Sequence, residues 1–318
     1  MSEALRASRV RPTRAVILVC ALFGLALVAV VVTYSRFPAI EYYHFPGHGF
    51  VGGGLSRALV YTNMPLGLAA MLLLLAQADR MSRAQRAGAL LAFLLWLPVF
   101  SSRVLDLNNL TARWANVIPA VGVALAVVVT LTTPAVRPAL VRGDGARVLV
   151  GGVLVLLALP WIGADLGFHY NGVPVLGQIF QTGELRTEPG RVGLHPAVHY
   201  GDHHGLWGTL LVISALLVSR MLGAVRSNRL HAALGFLLAG IILYGLMNIA
   251  NDAWLEQVVK RGWTDWTIPS VLKPALNWGW LVIILGAVGL WLTLFTPRGL
   301  SRSHRGDPYA SRATAVRL

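Results

Sequence analysis

Eight apolar stretches leave this chain few folds to choose from: residues 15–33, 58–77, 87–101, 116–133, 147–163, 205–222, 231–249 and 276–296. A helix needs about 20 mostly apolar residues to cross the hydrocarbon core of a bilayer. Only helices and closed barrels satisfy every backbone N–H and C=O there. The stretches therefore predict an all-α integral membrane protein with eight transmembrane helices, of which the third and fifth are short or interrupted by proline. Composition agrees: 13% of the 318 residues are charged, about half the share in a soluble domain of ~25%.

The first stretch follows a basic lead, as a signal peptide would, but Val31-Val32-Thr33-Tyr34-Ser35-Arg36 offers no small-x-small cleavage site. It reads as a retained helix. The single cysteine, Cys20, lies inside it, so an intrachain disulfide and Cys-ligated zinc or iron–sulfur sites are excluded.

Arginine sets the expected orientation, because positively charged loops stay cytoplasmic. Arg6, Arg9, Arg11 and Arg14 precede the first span. Arg80, Arg83 and Arg86 follow the second, Arg137, Arg142 and Arg147 the fourth, Arg220, Arg226 and Arg229 the sixth. Arg298, Arg302, Arg305, Arg312 and Arg317 lie in the tail, so that 18 of the 27 basic residues fall on one face. Of the 13 acids, only Glu3, Asp79, Asp144 and Asp307 share it. Both termini are expected in the cytoplasm of a cell-membrane protein. The net charge of +14 is then a topology signal aided by anionic lipids, and no nucleic-acid partner is implied.

The two halves are expected to be parallel repeats of four helices, 15–134 and 147–297. A cytoplasmic segment 1–14, a linker 135–146 and a basic tail 298–318 complete the chain. A third helix ends in Asp106-Leu107-Asn108-Asn109 in one half and Asn248-Ile249-Ala250-Asn251-Asp252 in the other. The fourth closes on Thr132-Thr133-Pro134 and again on Thr296-Pro297. An even number of spans per copy gives both copies one orientation. Two four-helix bundles side by side are the expected shape.

Seven of the nine histidines fall on the outer face. The densest run is His195-Pro196-Ala197-Val198-His199-Tyr200-Gly201-Asp202-His203-His204. Glu41, His44 and His48 form a second cluster, Asp165 and His169 a third, and Asp252 with Glu256 a fourth, just past the seventh span. Pro196 suits the first turn of a helix. A sixth helix starting there would stack His199 and His203 on one face, where the pair can grip a metal ion as paired histidines do in zinc peptidases. The expected centre is a transition metal (Zn, Cu or Fe), with haem less favoured. His199 and His203 would be its core ligands, and His195, His169, His48 or His44 would complete the shell. Asp202, Asp165 and Asp252 would orient ligands or move protons. Residues 164–204, the longest outer loop, are too apolar to be disordered and are expected to fold down as a cap. Trp254, Trp263 and Trp266 suit a helix lying at headgroup level. Gly52, Gly53 and Gly54 read as a loop or a close helix contact. No span carries a charge at mid-membrane, which argues against a proton-coupled transporter.

The four-plus-four plan with outer histidines resembles haem A synthase in architecture, but the paired His-Arg motifs of that family are absent. The His44/His48 and His199/His203/His204 spacings resemble membrane desaturase boxes, whose third box is missing here. Neither resemblance carries a function over. The residues point to a polytopic enzyme with a metal centre at the outer boundary, acting on a lipid, quinone or isoprenoid. The alternative is a non-enzymatic transporter or an integral subunit of a larger membrane complex. Membrane lipids, and in the second case other membrane subunits, are the expected partners.

Overall fold

The computed structural model describes residues 13–36, 47–101, 103–105, 112–134, 143–165, 170, 172–181, 185–187, 192–196 and 205–296. Eight long helical segments dominate them. They are α1 (Arg14–Arg36), α2 (Phe50–Arg80), α3 (Arg83–Trp96), α4 (Trp114–Thr132), α5 (Asp144–Asp165), α6 (Trp207–Ala224), α7 (Asn228–Val259) and α8 (Trp278–Phe295). Six of the eight (α1, α2, α4, α6, α7 and α8) are long and apolar enough to cross a membrane. The protein is therefore a helical, polytopic membrane protein. In α3, only 14 residues long, Arg83 and Arg86 dilute the apolar run.

Local chemistry fixes several helix starts. Ser82 and Gln85 form a capping box at α3: the Ser82 hydroxyl accepts from Gln85 N–H at 3.2 Å, and Gln85 Oε1 accepts from Ser82 N–H at 2.9 Å. Ser227 caps α7 by accepting from Leu230 N–H, and Asn277 caps α8 by accepting from Trp280 N–H.

The halves do not form two separate bundles. Helix α1 packs on α2, α5 and α6, while α2 also packs on α4, α6 and α7. One continuous core joins them, with the Tyr61 and Trp207 rings 5.6 Å apart where α2 meets α6. Nor do the halves pack alike: α2 lies along α4, whereas α6 lies along α7. The packing does not carry the expected repeat. Gly208 of α6 and Gly245 of α7 bring their helices together, since a Cβ on Gly208 would sit 2.5 Å from the Gly245 carbonyl oxygen. Gly53 and Gly54 are a close helix contact of the same kind, set against the Tyr34 and Val31 carbonyls of α1.

The arginine-rich connections share one end of the bundle. Asp79, after α2, accepts from the backbone N–H groups of Arg226 and Ser227 at 2.7 and 3.0 Å, and Arg80 donates to the Ala224 carbonyl. Arg220 grips both Asp144 oxygens at 2.9 Å. The loop before α6 and the loop after α7 lie at the opposite end, where Arg261 donates to the carbonyls of Gln178 and Ile179. Part of the expected cap is present there: Leu176–Ile179 forms a helical turn, and Phe180 enters the main core beside Tyr170.

Candidate functional site

Helix α7 organises the end opposite the arginines. The sequence places Asp252 and Glu256 beyond the seventh span, but α7 continues to Val259 and both lie inside it. The last turns, Leu255–Val259, are π-helical, a local widening common at functional sites. Tyr244, Asn248, Asp252, Glu256 and Lys260 recur at every fourth position. All are buried, from 0% exposure for Asn248 to 8% for Tyr244. Successive members are neighbours on the helix surface, so the five form a buried polar series that winds along α7. The Lys260 ammonium lies 2.9 Å from Glu256 Oε1, and their side chains are 2% and 5% exposed. These charges sit at the end of a 32-residue span, not at its centre, yet they are inside the protein.

The surrounding loops close on this end. After Val259 the chain is irregular, in place of the expected headgroup-level helix. It is held by Asn251, whose amide donates to the Ile268 carbonyl at 2.6 Å, and by Trp254, whose indole donates to the Trp266 carbonyl at 2.9 Å. Trp254, Trp266 and Trp278 form an aromatic run, edge-on and then stacked. Trp280 packs on Tyr244 at 5.8 Å and donates to the Lys273 carbonyl.

The His-rich segment departs from expectation at its start. His195–Pro196 is a strand, antiparallel to Leu185–Arg186 with Arg186 opposite His195, where a helix start was expected. Proline is tolerated in a short edge strand as well as in a first helical turn, and here the strand wins. Arg186 then donates to the Lys260 carbonyl at 3.4 Å, which ties the hairpin to the end of α7. His48 is exposed. Asp165 is the last residue of α5. His44, His169, His199, Asp202 and His203 lie outside the described residues, as does Asp106 of the expected repeat. Among the described residues, no group of three or more His, Cys, Asp or Glu side chains could hold a metal ion.

Two buried polar centres were missed in the sequence. Arg57, at the edge of an apolar stretch, is fully buried in α2; its guanidinium donates to the Gly52 carbonyl at 2.7 Å and lies 5.6 Å from the centre of the Tyr34 ring. Tyr34 is thus a core residue. The second is the extension of the Asp252/Glu256 pair: Asn248 and Lys260 could have been found by continuing its four-residue spacing in both directions. Asn63 behaves as a polar residue in a span should, donating to the Asn116 carbonyl of α4 at 2.8 Å. Its own carbonyl accepts from the Trp96 indole at 2.6 Å.

No known family, curated protein or solved structure matches this chain.

Proposed function

We propose that the chain is a metal-dependent membrane enzyme with its working site at the α7 end, on the outer side of a cell membrane. All eight helices would cross the bilayer, with both termini and the arginine-rich connections in the cytoplasm. His199 and His203 would hold a transition metal (Zn, Cu or Fe), helped by His195, His169, His48 or His44. Asp252, with Asp165 or Asp202, would orient those ligands or carry protons. A site at this depth suits a substrate with a polar head and an apolar tail: a lipid, a quinone or an isoprenoid.

One observation carries the reading. The strand holding His195 pairs with Arg186, and Arg186 is bonded to Lys260, two helical turns beyond the buried Asp252. The other described flank of 197–204 is the start of α6, which packs along α7. Both neighbours of the densest histidine run are therefore anchored to the helix that bears the carboxylates.

Metal analysis and an absorption spectrum of the purified protein test this. Zinc, copper or iron near one per chain is expected, most of it lost in His199→Ala and in His203→Ala and kept in His231→Gln. A metal-free protein, or full metal in the His199/His203 double variant, would overturn the reading. The second reading, a transporter or complex subunit, draws on α7 alone, because buried ionisable columns also line solute and proton paths.

A further inference from the structure

Carboxylates are scarce at the arginine-rich end. By sequence it holds 18 arginines against Glu3, Asp79, Asp144 and Asp307. The two acids among the described residues are already committed. Asp144 is gripped by Arg220 and approached by Arg147 at 3.4 Å. Asp79 accepts from the backbone N–H groups of Arg226 and Ser227, and so pins the α6–α7 turn without pairing with a guanidinium. Arg80, Arg83, Arg86, Arg226 and Arg229 have no ion-pair partner among the described residues.

These arginines converge where the two halves of the chain meet. Arg80 ends α2 and donates to the Ala224 carbonyl, and its buried Nε has no partner among the described residues. Arg226 lies near enough to repel its charge. Like charges held side by side are costly unless an anion lies between them. Arg83 and Arg86 are exposed on the first turns of α3. Leu90 and Leu94 continue that face at helical spacing, 60% and 54% exposed. Helix α3 packs along α4, which leaves this face uncovered. Cations at the membrane boundary followed by an apolar stripe match an anionic phospholipid in charge and in hydropathy.

We propose that turns 78–82 and 222–227, with the exposed face of α3, bind one anionic phospholipid. Its phosphate sits among Arg80, Arg83 and Arg226, and an acyl chain lies along Leu90 and Leu94. A guanidinium can hold a phosphate by two parallel N–H bonds, which is more specific than the diffuse attraction of basic loops to a charged bilayer. Free phosphate would satisfy the arginines but not the leucines, so the occupant is the lipid. The bound lipid bridges the two halves beside the Asp79 clamp. This site lies at the end away from the metal centre proposed above and stands without it.

Native mass spectrometry of the full chain, titrated with phosphatidylglycerol or phosphatidylcholine of the same acyl length, tests the proposal. One phosphatidylglycerol should bind about tenfold more tightly than phosphatidylcholine. Arg83→Gln with Arg226→Gln should weaken it about thirtyfold, from roughly fivefold per arginine. Both guanidiniums are exposed and make no hydrogen bond among the described residues, so the fold does not depend on them. Arg36→Gln with Lys273→Gln removes the same charge at the opposite end and should leave binding unchanged. Equal binding of the two lipids, or equal loss in the two double variants, would overturn the site. Displacement of bound phosphatidylglycerol by an equal concentration of inorganic phosphate would also overturn it, by showing an anion site with no part for the lipid. Metal content enters none of these readouts.

Discussion

Lys260 and Glu256 are paired at 2.9 Å inside the end of α7, four residues apart and almost wholly out of solvent. Two charges buried in this way hold each other in place more than they hold the fold. Their desolvation offsets much of their attraction, and the large cost appears only when one is left alone.

Lys260→Met should therefore destabilise the protein by about 3–5 kcal/mol, the usual cost of stranding one member of a buried pair. Glu256→Gln combined with Lys260→Met should recover most of that loss. Thermal unfolding of all four species in detergent gives the coupling directly. Additive losses would show that the pair is not a unit.

Asp79 joins the two halves at the other end by accepting from the Arg226 and Ser227 backbone N–H groups at the start of α7. Asp79→Ala should cost about 1 kcal/mol, as loss of a helix-start acceptor does, and lower the unfolding temperature. Glu3 and Asp307, acids on the same expected face, serve as reference substitutions. An unchanged melt for Asp79→Ala would remove the clamp.

The α6–α7 crossing depends on two glycines. A Cβ at Gly245 would meet Val212 Cγ2 at 2.7 Å and the Gly208 oxygen at 2.8 Å, while Gly240 of the same helix has open space. Gly245→Ala should lose about 1–3 kcal/mol by overpacking, and Gly240→Ala should not be destabilised. Equal behaviour of the two would mean that the helices are further apart than described.

Orientation is read by cysteine labelling in the Cys20→Ser background. A cysteine at Gln181 should react with an impermeant reagent in intact cells, and one at Ser227 should not. The reverse pattern would move the α7 end to the cytoplasm.

The helical core was legible because periodic apolar runs and bilayer thickness leave little choice. The ends of helices were less so, for a stated reason. Residues 250–259 contain Asn251, Asp252, Glu256 and Gln257, which read as a loop when polarity is averaged along the chain. Their polar groups fall on the protein-facing side of α7, so the helix continues. The same averaging hid the start of α2, although the close helix contact read there as the alternative to a loop is made by Gly53 and Gly54 against α1. Pro196 permitted both a helix start and a strand, and only pairing with Leu185 decided between them. Of the candidate site, Asp252 and Glu256 were found by spacing. Lys260 was missed because it was counted as a loop charge, and Asn248 because it was read as the end of a repeat.

The central claim is that the His-rich run and the α7 carboxylates share one site, with a cluster histidine close enough to Asp252 to affect its charge, about 6 Å or less. Disulfide trapping measures this most directly, since a bridge forms only when Cα atoms come within about 7 Å. In the Cys20→Ser background, Asp252→Cys is paired in turn with His195→Cys, His199→Cys and His203→Cys and oxidised in the membrane. The account predicts an intramolecular cross-link for at least one of these pairs and none when Gly240→Cys replaces Asp252→Cys. Folded protein with no cross-link in any of the three pairs would contradict it.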